Sequence, residues 1–141
     1  MNSEITRLKL PRGEWQSFAK KLLPEATEVT CSYPDDKTMY MSILENEKVV
    51  AKFALSFLYG CKGILVSHSM LVSPEYRSRG IASKLQNVKE RIAKDLQVSM
   101  LLATVTEDNA AQKKVIKDWK CIEKFNNKKT GNNVEVFMKR L

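Results

Sequence analysis

The sequence predicts an α+β fold built around one mixed β-sheet. Apolar runs of strand length recur along the 141 residues, and segments of helical period separate some of these runs but not others. One pair of runs flanks a helical segment, and a strand–helix–strand crossover requires its two strands to be parallel. Other pairs are separated only by turn-like segments, which makes them antiparallel. A chain with both kinds of pair forms a mixed sheet.

The first half of the chain is expected to supply a strand, a helix and a hairpin. A short strand around residues 5–10 precedes a helix in "LPRGEWQSFAKKLLPE", which has Pro24 near its end. The runs "TMYMSIL" and "KVVAKFALSFL" flank the compact turn "ENEK", so they form an antiparallel hairpin. Residues 32–37, just before this hairpin, are expected to form a loop.

The middle of the chain is expected to form the crossover. The run "GILVSHSMLV" is apolar enough to be a strand inside the sheet. From Gly80 the period becomes helical, with apolar residues at Ile81, Leu85, Val88, Ile92 and Leu96. The next run, "VSMLLATV", is almost continuously apolar, which suits a strand covered on both faces.

A last helix and two strands complete the prediction. The segment "EDNAAQKKVIKDW" has a helical pattern, and Asp108 or Asn109 can cap its first turn. The remainder, "CIEKFNNKKTGNNVEVFMKRL", predicts two strands joined by a loop around residues 130–133.

Composition indicates a single domain over residues 1–141. Hydrophobic residues make up 43% and charged residues 28%, and no linker or repeat divides the chain. The longest apolar runs are too short to cross a bilayer, so no membrane partner is expected. The three cysteines lack metal-ligand spacing, which predicts no metal site. Because no signal-peptide pattern precedes them, they are interpreted as reduced thiols of a cytoplasmic protein.

The charge balance favours an anionic partner. Lys and Arg outnumber Asp and Glu by 24 to 16, a formal net charge of +8. A basic stripe recurs at helical spacing, at Lys113, Lys117, Lys120 and Lys124. It is interpreted as a solvated helix face, with guidance of an acidic substrate or of cofactor phosphates as the alternative. Nucleic acid is disfavoured as a partner, because the sequence has no helix-turn-helix signal, zinc-ligand set or aromatic-basic strand motif.

The stretch "SPEYRSRGIA" indicates an anion site. It follows an apolar strand and opens the crossover helix, whose first N–H groups have no intrahelical acceptor. Gly80 lets the backbone approach a ligand, and the small Ala82 keeps the first turn uncrowded. Arg77 and Arg79 add long-range attraction and bidentate contacts to phosphate.

These residues carry a resemblance to a known family. The segment "MLVSPEYRSRGIASKL" resembles the acyl-CoA-binding motif of the GNAT superfamily of N-acetyltransferases. That motif has Arg or Gln, two residues, Gly, one residue, then Gly or Ala, and it is matched by Arg77, Gly80 and Ala82. The lead-in "V-x-P-E-x-R" is matched by residues 72–77. The predicted element order also fits the GNAT fold over nearly the whole chain.

The resemblance implies a fold, a reaction and a cofactor. It implies a mostly antiparallel sheet of about seven strands with helices on both faces, and direct transfer of an acetyl group from acetyl-CoA to a primary amine in a ternary complex. The pantetheine arm would lie between the diverging fourth and fifth strands, and the backbone N–H groups from Arg77 through Ala82 would surround the pyrophosphate. The implied cofactor-binding residues are Met70, Leu71, Val72, Arg77, Ser78, Arg79, Gly80, Ile81, Ala82, Ser83, Lys84 and Asn109. For Asn109, a plain helix cap is the alternative.

Two residues are candidates for catalysis. By its matched position in the family, the backbone N–H of Met70 is the candidate donor to the developing oxyanion. His68 is the only histidine, and a base is needed because a lysine-like amine has a pKa near ~10.4. Strand alternation would put His68 and Met70 on one face. One branch of the superfamily has a catalytic histidine at this place, while a packed, hydrogen-bonded histidine is the alternative.

The sequence departs from the family in the last helix. Members often have a tyrosine, as acid for the leaving thiolate, seven residues after the asparagine; here that residue is Ile116, expected in the core. Lys120 and Cys121 replace the usual Gly-Phe. A catalytically weak or inactive CoA-binding regulatory module is therefore the alternative function. Trp15 and Trp119 are expected in the core, and Cys61 and Cys121 are expected to pack as small hydrophobes. The acceptor amine stays open, and a homodimer is frequent in the family.

Overall fold

Seven β-strands form one mixed sheet in the computed structural model of the protein, which describes residues 12–141. The elements, in chain order, are α1 (Arg12–Leu22), β1 (Glu28–Asp35), β2 (Thr38–Glu45), β3 (Lys48–Phe57), β4 (Ile64–Val72), a short 3₁₀ turn (Pro74–Tyr76), α2 (Ile81–Asp95), β5 (Met100–Thr106), α3 (Ala110–Val115), β6 (Lys120–Asn126) and β7 (Asn133–Arg140). The strand order is β1-β2-β3-β4-β5-β7-β6. Only β4 and β5 are parallel neighbours among these strands, so the mixed sheet and its crossover are confirmed.

The structure corrects one sequence-based assignment in the first half. Residues 32–37 were expected to be a loop, but β1 runs to Asp35 and pairs with β2 along most of its length. The pattern was obscured by Pro34, which an edge strand tolerates because one side of it makes no ladder bonds. The turn closes at Lys37, whose N–H donates to Asp35 Oδ1 at 2.8 Å. The strand predicted around residues 5–10 lies outside the described residues.

The apolar face of α2 forms the centre of the core. Ile81, Leu85, Val88 and Ile92 are all at most 2% exposed, and they repeat at the helical spacing that the sequence predicted. Helix α1 packs beside α2, where the Trp15 indole N–H donates to Asp95 Oδ2 at 2.9 Å. This packing fixes α2 over the sheet, and with it the loop that leads into the helix.

The contacts between helices and sheet fall on one face. Lys89 of α2 lies over the Phe53 ring, Glu90 of α2 pairs with Lys139, and Lys113 of α3 pairs with Glu135. The strand register places these three sheet residues on the same face. Two right-handed crossovers that run in the same direction along the sheet place their helices on one face. These contacts therefore place α2 and α3 on the same face of the sheet.

Helix α3 is shorter than the sequence predicted. It spans Ala110–Val115, although the pattern suggested a helix across "EDNAAQKKVIKDW". Helical backbone stops at Ile116, which lets Ile116 and Trp119 both turn into the core, at 1% and 6% exposed. The core positions expected for these two residues and for Trp15 are confirmed. Within residues 12–141, no helix is long and apolar enough to span a bilayer.

Candidate functional site

The parallel strands β4 and β5 part halfway along their length. Their pairing runs from Ile64 opposite Met100 to Ser67 opposite Ala103, and then it stops. Beyond this point β4 stays paired with β3 up to Val72, and β5 stays paired with β7 up to Thr106. The two strands are therefore held apart by their outer neighbours, and a gap opens at their carboxyl ends.

A β-bulge lies in β4 where the gap begins. Ala54 pairs with His68 and Lys52 pairs with Leu71, so β4 has one more residue than β3 across this stretch. Ser69, inside the bulge, has φ 56°, a left-handed conformation that is uncommon for serine. The strict alternation expected across His68 and Met70 is therefore interrupted. Both residues nevertheless line the same cavity, because the bulge turns them into the gap.

The larger cavity begins at this gap and extends to the start of α2. It has a volume of about 970 Å³, and its lining residues are Met70, Leu71, Val72, Tyr76, Arg77, Ser78, Gly80, Ile81, Ala82, Ser83, Asn109, Ala111, Gln112, Lys114, Val115 and Lys117. Ten of the twelve residues expected at the cofactor lie in this lining. The exceptions are Arg79, which lies 5.2 Å from the Tyr76 ring, and Lys84, whose N–H donates to Gly80 O.

The loop before α2 presents unused backbone donors to the larger cavity. Gly80 is the N-cap of α2 with φ 77°, and Ser78 has φ 64°. Within residues 12–141, the N–H groups of residues 78–83 donate no hydrogen bond. The N–H of Arg77 is different, because it donates to Pro74 O at 3.3 Å. The predicted amide set from 77 to 82 is thus moved by one residue. Such a concave row of amides binds anions.

The smaller cavity continues the cleft into the gap between β4 and β5. It has a volume of about 280 Å³ and is lined by Ser67, His68, Ser69, Met70, Ala103, Thr104, Val105, Thr106, Asn109 and Gln112. Met70, Asn109 and Gln112 line both cavities, so the two form one continuous cleft. In the described part of the chain, no side chain that lines the smaller cavity carries a fixed charge, which gives this end a different chemistry.

His68 is held by hydroxyl groups on both sides of its ring. Nε2 lies 2.7 Å from Ser56 Oγ, and Nδ1 lies 2.9 Å from Ser69 Oγ. The Tyr40 ring packs edge-on against the imidazole, with the ring centroids 6.3 Å apart. Burial, and then the charge of Lys89, hold the pKa of His68 below its usual 6.5. At neutral pH the imidazole is therefore uncharged and can accept a proton.

Asn109 caps a helix and also lines the cleft. Its Oδ1 accepts a hydrogen bond from the Gln112 N–H at 3.1 Å, so it caps α3. Its side chain also lines both cavities. Because the cap uses only the amide oxygen, the amide NH₂ group can still donate to a ligand in the cleft.

The cationic side chains that line the cleft belong to its larger cavity. Among the residues that the structure describes, Arg77, Lys114 and Lys117 line the larger cavity, and no carboxylate does. Arg77 Nε donates to Val72 O at 2.9 Å, which fixes the side chain along the loop. The basic stripe of the sequence is thus divided. Lys117 reaches the cleft, whereas Lys113 and Lys124 lie 3.0 and 3.9 Å from Glu135.

Several site residues were missed by sequence reasoning. Tyr76 is buried at 5% exposure, lines the larger cavity and donates to Glu45 Oε1 at 3.0 Å. Ser56 and Ser69 were missed because only the strand register and the bulge bring them to His68. A packed position was also expected for Cys121, but it is exposed because β6 is an edge strand. No group of metal-ligating side chains is found within residues 12–141.

Comparisons with known proteins identify the family. The sequence profile of the acetyltransferase (GNAT) family matches residues 7–118, well over half of the chain. No curated protein matches the chain in sequence.

Solved structures show the same fold. A GNAT acetyltransferase from Elizabethkingia anophelis with acetyl-CoA bound is 10% identical, with a TM-score of 0.67 over 74% of this chain and 77% of that one. Nourseothricin acetyltransferase is 16% identical, with a TM-score of 0.65 over 77% and 68%. A GNAT acetyltransferase from Bacillus anthracis is 14% identical, with a TM-score of 0.62 over 74% and 66%. The expected GNAT fold is confirmed, and the chain belongs to the acetyltransferase (GNAT) family.

Proposed function

We propose that the protein is an N-acetyltransferase of the cytoplasm that moves an acetyl group from acetyl-CoA directly to a primary amine. The observation that carries the proposal is the row of unused amides at residues 78–83, which faces a cleft that runs between two diverging strands. A diphosphate needs several converging donors, and a pantetheine arm needs a narrow channel with backbone partners. Both are available in one continuous cleft.

The residues present fit the parts of coenzyme A in order. The amides of residues 78–83, together with Arg77, suit the pyrophosphate. The exposed edge of β4 at residues 70–72 suits the amide groups of the pantetheine arm, since β5 does not pair with it there. The 280 Å³ cavity then suits the acetyl end. In this fit, Arg79 and Lys84 contribute only electrostatic attraction from outside the lining.

The chain's own residues meet the needs of acyl transfer at the smaller cavity. When bound, acetyl-CoA supplies an activated thioester that an amine nitrogen can attack. His68 is uncharged at neutral pH and can remove a proton from that nitrogen. The Met70 N–H, within the bulge, can donate to the carbonyl oxygen as it gains negative charge. A thiol has a pKa near ~8.5, so a thiolate can leave without the tyrosine that Ile116 replaces.

A second candidate function is a GNAT-fold module that binds CoA without turnover. The observation in its favour is Ile116, which is 1% exposed in the core and so provides no acid to the cleft. The two functions share the cofactor site and differ only at the acyl end.

Calorimetry and a thiol-release assay test the proposal together. We expect acetyl-CoA to bind and free thiol to appear with at least one member of a panel of amines: a peptide N-terminus, a lysine peptide, a polyamine, an aminoglycoside and an arylalkylamine. Binding of CoA without thiol release from any amine would favour the second candidate. If neither acetyl-CoA nor CoA binds, both functions are wrong.

A further inference from the structure

We infer that Ser69 and Ser56 form a proton relay with His68, in which Ser69 contacts the acceptor amine and Ser56 positions the imidazole. This inference rests on the proposed acetyl transfer. It assigns two residues that the family motif does not include. It also changes the role of His68, which becomes a base that acts through a hydroxyl group and not by direct contact.

The hydrogen-bond chain defines the direction of the relay. The Ser56 hydroxyl donates to Thr38 Oγ1 at 3.1 Å, so its oxygen accepts from Nε2–H of His68 at 2.7 Å. The proton on Nε2 leaves Nδ1 with a lone pair, because a neutral imidazole carries one N–H. Nδ1 therefore accepts from the Ser69 hydroxyl at 2.9 Å. Four side chains on three neighbouring strands form one continuous chain.

Ser69 is the member of this chain that reaches the cleft. It is exposed, it lines the smaller cavity, and its φ of 56° turns it out of the regular strand. Both ring nitrogens of His68 already have hydroxyl partners. An amine in the cavity thus reaches the imidazole through Ser69.

The proton transfer balances along this route. As the neutral amine nitrogen forms the C–N bond, its N–H proton passes to Ser69 Oγ while the Ser69 hydroxyl proton passes to Nδ1 of His68. The imidazole is then a cation, and Ser56 continues to accept from Nε2–H. When the C–S bond breaks, the electron pair stays on sulfur, and the proton returns through Ser69 to that thiolate. Nitrogen loses one proton, sulfur gains one, and the relay ends unchanged, so no tyrosine acid is required.

The surroundings of His68 suit a proton carrier. The Tyr40 ring of β2 packs against it, and the buried Lys89 of α2, whose pKa burial lowers to about 8, acts on it only through its charge. On the β5 and α3 side the cavity presents neutral groups such as Thr104 and Gln112. Because none of the carboxylates in residues 12–141 pairs with it, the imidazolium is not stabilised and readily gives its proton back.

The single histidine allows a test without turnover. Nitrogen-15 NMR of the free protein reports one imidazole, because the chain has one histidine. Above pH 7 we expect the Nε2–H form to dominate. Ser56→Ala should raise the share of the Nδ1–H form several-fold, Ser56→Thr should restore the wild-type spectrum, and Ser42→Ala, a half-buried serine of β2, should leave it unchanged. A dominant Nδ1–H form in the wild type would overturn the relay.

Kinetics then test the role of Ser69. Ser69→Ala should lower kcat about 10- to 100-fold while KM for acetyl-CoA changes less than about twofold, because only the proton path is lost. Full activity of Ser69→Ala in an active enzyme would overturn the relay and leave the proposed function standing. If the wild-type protein binds acetyl-CoA but acetylates no amine, the proposed function fails and the catalytic relay with it. The NMR result then stands as a description of the hydrogen-bond chain alone.

Discussion

The two ends of the cleft are built from different chemistry. The larger cavity combines backbone N–H groups of residues 78–83 with three cationic side chains, Arg77, Lys114 and Lys117. The smaller cavity has hydroxyls, amides and one neutral imidazole. In the proposed function, one end holds negative charge that the ligand already carries when it binds. The other is prepared for charge that appears only during the reaction.

This difference has a physical reason. Fixed positive charge near the thioester would repel a protonated amine. It would also stabilise an anion that is already bound more than the oxyanion that forms during the reaction. Fixed dipoles and neutral donors avoid that, because they stabilise charge only where they are aimed. Charge is therefore concentrated at the end where it holds the ligand. We expect substitutions at the two ends to separate into binding and rate effects.

Gly80→Glu should produce the largest change. Its side chain would face open space in the larger cavity and place a carboxylate against the phosphates, so CoA affinity should fall at least about 100-fold by calorimetry. Gly131→Glu is a matched control, because Gly131 also has φ 77° and open space around it, but lies away from the cleft. Both variants carry the same backbone strain. An equal loss of CoA affinity in the two would refute the anion site.

His68→Ala should produce the next largest change, at the other end. We expect kcat to fall about 100-fold while the Kd for acetyl-CoA stays within about twofold. Because burial lowers the pKa of His68 below 6.5, the base becomes protonated only under more acidic conditions. The wild-type rate should therefore fall on acidification with a midpoint below pH 6.5. That acidic limb should be absent from the profile of the variant.

The pH profile also separates the interpretations of His68. A histidine that only packs would change stability and leave the shape of the profile intact. Retention of the acidic limb in His68→Ala would assign the titration to another group and return His68 to a structural role.

The anion-binding end could be predicted from the sequence because it is local. Residues 77–83 are contiguous, and the order strand, Gly, helix is enough to predict which N–H groups lack an acceptor. The prediction was displaced by one residue: the 3₁₀ turn before the helix takes up the Arg77 N–H, and the unused set extends to Ser83.

The acyl end could be predicted only in part, because distant segments form it. His68, the single histidine, was predicted on the fourth strand and lines the smaller cavity. Ser56 reaches it only through the register of β3 against β4, and Ser69 only through the bulge. Neither the register nor the bulge has a clear signal in the sequence, whereas Gly80 marks the start of α2. Edge strand β1 was not predicted for a related reason, since Pro34 is informative only once its neighbour is known. Site residues that strand pairing brings together can therefore be identified only from the structure.

Substitution of the two cleft lysines should produce the smallest change. Lys114 and Lys117 are exposed, so each should contribute about two- to fivefold to CoA affinity at low salt. Screening weakens exposed charges, so the double variant Lys114→Ala/Lys117→Ala should also show a shallower dependence of Kd on salt concentration. Lys124→Ala is the control from the same basic stripe, since Lys124 lies by Glu135 and outside the lining. Equal salt dependence in the double variant and in the wild type would mean that backbone amides alone hold the phosphates. Lys114 and Lys117 would then be solvated surface charges that do not contribute to CoA binding.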